Sequence, residues 1–120
     1  MQAKLQELDG VLREIYTTLN KNTPEDPPLI VLVGDHGMSA QGQHGGASAD
    51  ETKSALVFIS DAFRFKTSSE VVDVETVQQA DICSTLAMLL GVPIPQNNIG
   101  KVIHQVWDGF EGNSEKGLIE

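Results

Sequence analysis

The sequence predicts an α/β layer, a mostly parallel sheet flanked by helices. Three observations predict it. Leu29-Ile30-Val31-Leu32-Val33 and Ala55-Leu56-Val57-Phe58-Ile59 are short, wholly apolar runs, the pattern of strands covered on both faces. A segment of helical period precedes the first run and another follows the second. The resulting order of helix, strand, loop, strand and helix belongs to α/β architectures.

Leu5, Leu8, Val11, Leu12, Ile15, Tyr16 and Leu19 recur at three- and four-residue steps with charged residues between them. They predict an amphipathic helix over 2–19, ended by Asn20 and Asn22. Thr23 to Pro28 holds three prolines and two acids and reads as a connector. The strand 29–33 follows, and then a glycine-rich loop from Gly34 to about Glu51, where Asp50 and Glu51 begin the next element. The second strand is expected over 55–59, a polar loop over 61–70, and a short edge strand around Val71, Val72 and Val74. A second helix is predicted over 81–90, with Asp81 capping its first turn. Gly91 stops it in the left-handed position, and Pro93 and Pro95 keep it stopped. Residues 108–116 are rich in Gly, Glu and Ser and read as part of a flexible tail, 108–120.

At 120 residues and 40% apolar composition, one small folded domain is expected rather than a disordered chain. A net charge of −9 without a basic stripe excludes non-specific nucleic-acid binding. Cys83 is the single cysteine, so an intrachain disulfide and a cysteine-based zinc site are both excluded. Its setting among Ile82, Leu86, Leu89 and Leu90 predicts a buried thiol. Met1-Gln2-Ala3-Lys4 lacks the apolar core of a signal peptide. No apolar run approaches the roughly 20 residues of a membrane span.

The candidate site lies in the loop after the first strand. Gly34-Asp35-His36-Gly37-Met38 and His44-Gly45-Gly46 place one carboxylate and two imidazoles within a few residues of a strand end. These are ligand types that hydrolytic zinc takes, and the flanking glycines let the backbone aim them at one point. Strand ends are also where open parallel sheets bind ligands. Asp35, His36 and His44 are therefore the candidate metal ligands, for one ion or for two about 4 Å apart. An isolated Asp-His pair is more often a turn with an exposed imidazole; the whole string in one loop reverses that balance. Ser48 and Thr52 have no base beside them in sequence and read as loop hydroxyls bonding backbone. His104 reads as a packing or surface residue, and Trp107 as a core or interface aromatic.

Gly34-Asp35-His36-Gly37-Met38-Ser39 followed by Gly42-x-His44-Gly45 resembles the second metal motif of the alkaline-phosphatase superfamily. Ala55–Phe63, Val77-Gln78-Gln79-Ala80-Asp81-Ile82 and Leu90-Gly91-Val92-Pro93-Ile94-Pro95 narrow the likeness. Together they resemble the ethanolamine phosphate transferases of the glycosylphosphatidylinositol (GPI) anchor, nearest to those acting on the second mannose. The likeness spans about residues 2–107. It implies an alkaline-phosphatase-like fold, of which 1–107 would be the C-terminal part of the catalytic domain. It also implies a multi-pass protein of the endoplasmic reticulum membrane with a lumenal catalytic domain. Such an enzyme moves phosphoethanolamine from phosphatidylethanolamine to a mannose hydroxyl of an anchor intermediate. Two zinc ions and a threonine that carries the group covalently are implied as well, and a small membrane partner subunit is compatible with the family.

By that resemblance Asp35 and His36 serve one ion and His44 the other. The family's upstream Asp-x-x-Gly-His, its early Asp, its nucleophile Thr in context and its membrane helices have no match in these residues. Met1 is expected to fall just past the missing ligands, as in a truncated gene, a splice product or an excised piece. The chain by itself is then expected to be inactive, only marginally stable and prone to associate through uncovered apolar surface. Two readings compete. One is another member of the superfamily, a phosphodiesterase or phosphomutase; the other is a non-catalytic α/β interaction module.

Overall fold

The computed structural model describes residues 2–63 and 76–111. The chain divides into two compact units, Met1–Ala62 and Phe63–Glu120. The first holds helix α1 (Gln2–Asn22), strand β1 (Ile30–Val33), a one-turn helix α2 (Ala49–Thr52) and strand β2 (Leu56–Ile59). The second holds α3 (Gln79–Leu89) and α4 (His104–Glu111). The edge strand expected near Val71 lies outside the described residues.

Helix and strand contents confirm the α/β class, but the strand pairing corrects the expectation of a parallel sheet. β1 and β2 run antiparallel, with Ile30 opposite Ile59, Val31 opposite Phe58, Leu32 opposite Val57 and Val33 opposite Leu56. The connection explains the sense of pairing. A parallel return needs a crossover element long enough to carry the chain back along the sheet. Between β1 and β2 the described helix is a single turn, so the chain re-enters the sheet at the end it left. Gly34 N–H to Ala55 O, 3.0 Å, adds one more rung beyond the strands. The sheet is also less covered than two-sided apolar runs suggest. Leu32 and Val33 are each nearly half exposed.

α1 extends three residues past its predicted end. Its last turn closes on Thr23, whose N–H and hydroxyl both donate to Leu19 O. The helix buries no residue. Leu5, Leu8, Val11, Ile15 and Leu19 form an uncovered apolar stripe, with Leu5 59% exposed. Tyr16, on the flank of that stripe, donates its hydroxyl to the Asp61 carboxylate, which raises the phenol pKa above its usual value.

In the second unit the core is built from small and hydroxylated side chains. Ala87, Ile103 and Val106 are buried, and Ser84 and Thr85 are only 1% exposed. Both hydroxyls are fully used. Ser84 Oγ donates to Gly100 O at 2.8 Å and accepts from the Asn98 amide. Thr85 Oγ1 donates to Asp81 O at 2.7 Å and accepts Ile103 N–H at 2.9 Å. Leaving any one of these buried groups unpaired would cost about 1–3 kcal/mol, so residues 98–103 are held firmly on α3. Gly100 has no room for a side chain: a Cβ there would lie 2.1 Å from Ala80 O. Cys83, expected inside, is exposed. The hydroxylated face of α3 takes the interior place instead.

Asp81 stands at the third position of α3, not at its cap. Its Oδ2 reaches back to Gln78 N–H at 2.8 Å and its Oδ1 accepts Lys101 N–H at 2.7 Å. The helix ends as predicted. Gly91, at φ 64°, donates to Met88 O, and Val92 donates to Ala87 O, the paired bonds of a glycine stop. α4 runs through 108–111, inside the stretch that composition marks as tail. Phe110 on it packs against Phe63, with ring centroids 4.5 Å apart.

The two amides on Asp81, Lys101's first and Gln78's second, hold its carboxyl below the usual aspartate range. An unfolded aspartate titrates near 3.9. The folded pKa is depressed, so this stabilisation is present above that value and is lost as pH falls through the lower folded one. We expect the Lys101 amide-proton resonance to move upfield across that acidic window as its acceptor is protonated. The movement should be absent in Asp81→Asn. An identical titration in the variant would show that another group is responsible.

Candidate metal centre

The loop that joins β1 to β2 at one end of the sheet carries all three candidate ligands. Gly34 leaves β1 beside Ser54, so closely that a Cβ would meet Ser54 Oγ at 2.1 Å. Asp35 Oδ1 accepts the His36 backbone N–H at 3.0 Å, and Oδ2 lies 3.6 Å from His36 Nε2. Gly37 then donates its N–H to Glu51 O at 2.9 Å.

A tight turn follows. Ser39 N–H reaches Gln43 O, Gly42 N–H reaches Ser39 O, and Ser39 Oγ accepts Gln43 N–H. Gly42, at φ 83°, makes the reversal that a side chain would strain. The turn brings His44 back over His36. The two imidazoles stack with centroids 5.1 Å apart and planes 5° from parallel. Gly45 is again left-handed, at φ 104°. Gly46 N–H then meets Glu51 Oε1 at 3.1 Å.

Each imidazole is held by a backbone carbonyl on its Nδ1 side. His36 Nδ1 lies 2.7 Å from Gly37 O, and His44 Nδ1 lies 3.4 Å from Gly42 O. A carbonyl oxygen only accepts, so each of these contacts uses a hydrogen on Nδ1, while His36 Nε2 faces the Asp35 carboxylate. Metal-binding histidines are commonly backed by an acceptor on the other ring nitrogen in this way.

The donor set of one carboxylate and two imidazoles fits zinc by chemistry. It falls short of the four donors of a closed zinc site. As placed, the side chains pair with one another, and among the described residues no three ligand-type side chains form a group that could hold an ion. The structure thus gathers Asp35, His36 and His44 in one loop. His104, at the start of α4, belongs to the second unit.

Ser48 and Thr52 divide. Thr52 Oγ1 donates to Ser48 O at 2.9 Å, the backbone bond expected of it. Ser48 Oγ instead donates to Glu51 Oε2 at 2.5 Å. That contact does not activate the hydroxyl. The Ser48 hydroxyl first, and the Gly46 amide second, hold the Glu51 carboxyl below its usual range, which makes it a weaker base. Glu51 is the residue that sequence reasoning passed over. Its signal was the Ser48-x-x-Glu51 spacing of a helix start.

Comparison with known proteins places the chain in a family. The chain is 43% identical over 108 residues to the Homo sapiens protein named GPI ethanolamine phosphate transferase 2, catalytic subunit, covering 88% of this chain and 11% of that protein. It is 42% identical over 120 residues to GPI ethanolamine phosphate transferase 2 of Aspergillus fumigatus, covering 90% of this chain and 16% of the relative. For the Saccharomyces cerevisiae protein of that name the figures are 40% over 119 residues, 86% and 14%. No protein-family model matches the chain, and no solved structure matches it.

The chain therefore belongs to the GPI ethanolamine phosphate transferases, as one segment of them. The particular member it matches is GPI ethanolamine phosphate transferase 2, the name all three of these relatives carry. It spans between 11% and 16% of their length. Among the described residues no helix is long and apolar enough to cross a membrane.

Proposed function

We propose that this segment is part of the catalytic domain, of alkaline-phosphatase-like fold, of a metal-dependent phosphoethanolamine transferase of GPI-anchor synthesis. The donor substrate is phosphatidylethanolamine and the acceptor a mannose hydroxyl of the anchor intermediate, the second mannose by the resemblance of the sequence motifs. The whole enzyme works at the endoplasmic reticulum membrane with this domain in the lumen, where a small membrane subunit can accompany it. The observation that supports the reading is the gathering of Asp35, His36 and His44 in one loop past the end of β1, with His36 beside Asp35 and stacked on His44.

Asp35, His36 and His44 are the residues that would hold zinc, with Asp35 and His36 on one ion and His44 on a second. Bound there, zinc would supply positive charge to offset what develops on the transferred phosphoryl group. The protein's own part is positional. The Gly37 and Gly42 carbonyls orient the imidazoles through Nδ1, and the glycine turns bring the two rings to one place. Three donors shared between two ions are too few to hold either tightly. The 120-residue chain by itself is accordingly inactive.

The test uses the full-length transferase in detergent, assayed for transfer of labelled ethanolamine phosphate to a mannose-containing glycolipid. Chelation should abolish transfer and added zinc should restore it, while the isolated chain transfers nothing. Transfer that survives complete removal of metal would overturn the metal dependence. Zinc-dependent turnover by the isolated chain, lost in Asp35→Ala, would overturn its assignment as an incomplete site.

A further inference from the structure

We propose that Glu51 is the positioning residue that sets the separation of His36 and His44. It bonds both limbs of the loop. Its backbone oxygen accepts Gly37 N–H at 2.9 Å, directly after His36. Its side-chain Oε1 accepts Gly46 N–H at 3.1 Å, two residues past His44. The second carboxylate oxygen is occupied by Ser48 Oγ at 2.5 Å, which fixes the carboxylate plane. α2 is thus a peg to which the two histidine-bearing limbs are tied, one through backbone and one through a side chain.

The close fit at each tie is an independent sign of this role. A Cβ on Gly46 would lie 2.5 Å from Glu51 Oε2 and 2.7 Å from Oε1. A Cβ on Gly37 would lie 2.0 Å from Asp50 O, at the same helical turn. Gly37 and Gly46 are therefore pressed against the α2 turn, and residues 39–43 between them are closed by their own turn. With both limb ends pinned, the imidazoles are left little choice but to meet. Glu51 acts here through hydrogen bonds alone: both carboxylate oxygens are engaged by protein donors.

The structural claim stands without the metal, and only its zinc arm rests on the reading of Asp35, His36 and His44 as ligands. The test is made on the 120-residue chain with labelled histidines. Ring-proton cross-relaxation between His36 and His44 should be present in the parent chain and lost in Glu51→Ala. Cross-strand contacts between Ile30 and Ile59 report that the sheet survives. Glu51→Gln keeps an oxygen for Gly46 N–H and should restore the ring contact, which a charge-based role would not allow. Gly46→Ala, which displaces the carboxylate with Glu51 present, should lose it as Glu51→Ala does and serves if that variant fails to fold.

Zinc titration gives the second readout. Affinity should fall about 10- to 100-fold in Glu51→Ala, as for other residues that orient metal ligands, and recover in Glu51→Gln. Ring contacts that persist in Glu51→Ala or in Gly46→Ala would overturn the proposal. Zinc content of the full-length transferase that is unchanged in His36→Ala would instead overturn the ligand assignment and leave the ring-contact result to decide the role of Glu51.

Discussion

Replacing Gly37 by alanine is expected to destabilise the first unit by about 3 kcal/mol, at the upper end of overpacking effects. The new methyl would sit 2.0 Å from Asp50 O and 2.4 Å from Lys53 O. Both are backbone atoms, so no side chain can swing aside, and the α2 turn must move as a body. That movement breaks the Gly37–Glu51 bond and separates the limbs that carry His36 and His44. Gly10→Ala is the matched control. Gly10 lies inside α1 with nothing within 4 Å of a Cβ, so alanine should stabilise by up to about 1 kcal/mol through helix propensity. Urea unfolding of the two variants should therefore shift in opposite directions. A Gly37→Ala midpoint equal to that of the parent chain would show that the loop yields without cost.

In the full-length transferase, His36→Ala should lower turnover by about a thousandfold. The substitution removes the imidazole donor beside Asp35 from the ligand set of its ion. Metal stabilisation of the transferred phosphoryl group is worth several kcal/mol, and about 1.4 kcal/mol is a factor of ten in rate. Zinc content should fall with it, and His44→Ala should behave alike. His104→Ala, exposed at the start of α4, should keep both. Turnover and zinc content unchanged in His36→Ala would remove His36 from the ligand set.

Much of this was legible because some residues obey a single local rule. Leu5, Leu8, Leu12, Ile15 and Leu19 can share a face only in a helix, and α1 forms where they predict it. Gly91 ends α3 because the left-handed residue that closes a helix is most cheaply a glycine. The strand runs were legible as strands but not as an antiparallel pair, since Ile, Val and Leu pack equally well in either sense. The connection decides, and a one-turn α2 shows itself only weakly in Ser48-x-x-Glu51.

α4 went unread although Ile103, Val106, Trp107 and Phe110 carry helical spacing, because Gly109 and the acidic residues after it suggested a tail. Burial of Ser84 and Thr85 in place of Cys83 depends on distant partners, Gly100 O and Ile103 N–H. No apolar pattern encodes such partners. At the site, residue types named the ligands. The role of Glu51 needed coordinates, because its bonds run to backbone amides of glycines, which leave no mark in sequence.

The long excursion between β1 and β2 bears on how quickly the sheet can assemble. A hairpin with a two-residue turn zips from its tip, whereas here residues 34–55 must be looped before Val33 can meet Leu56. Chain-closure entropy grows as (3/2)RT ln n, so a loop of about 20 residues costs about 2 kcal/mol more than a tight turn. The ties through Gly37, Gly46 and the 39–43 turn shorten the effective loop once they form. Substitutions that loosen the segments gathering the histidines should therefore slow folding as well as weaken the site.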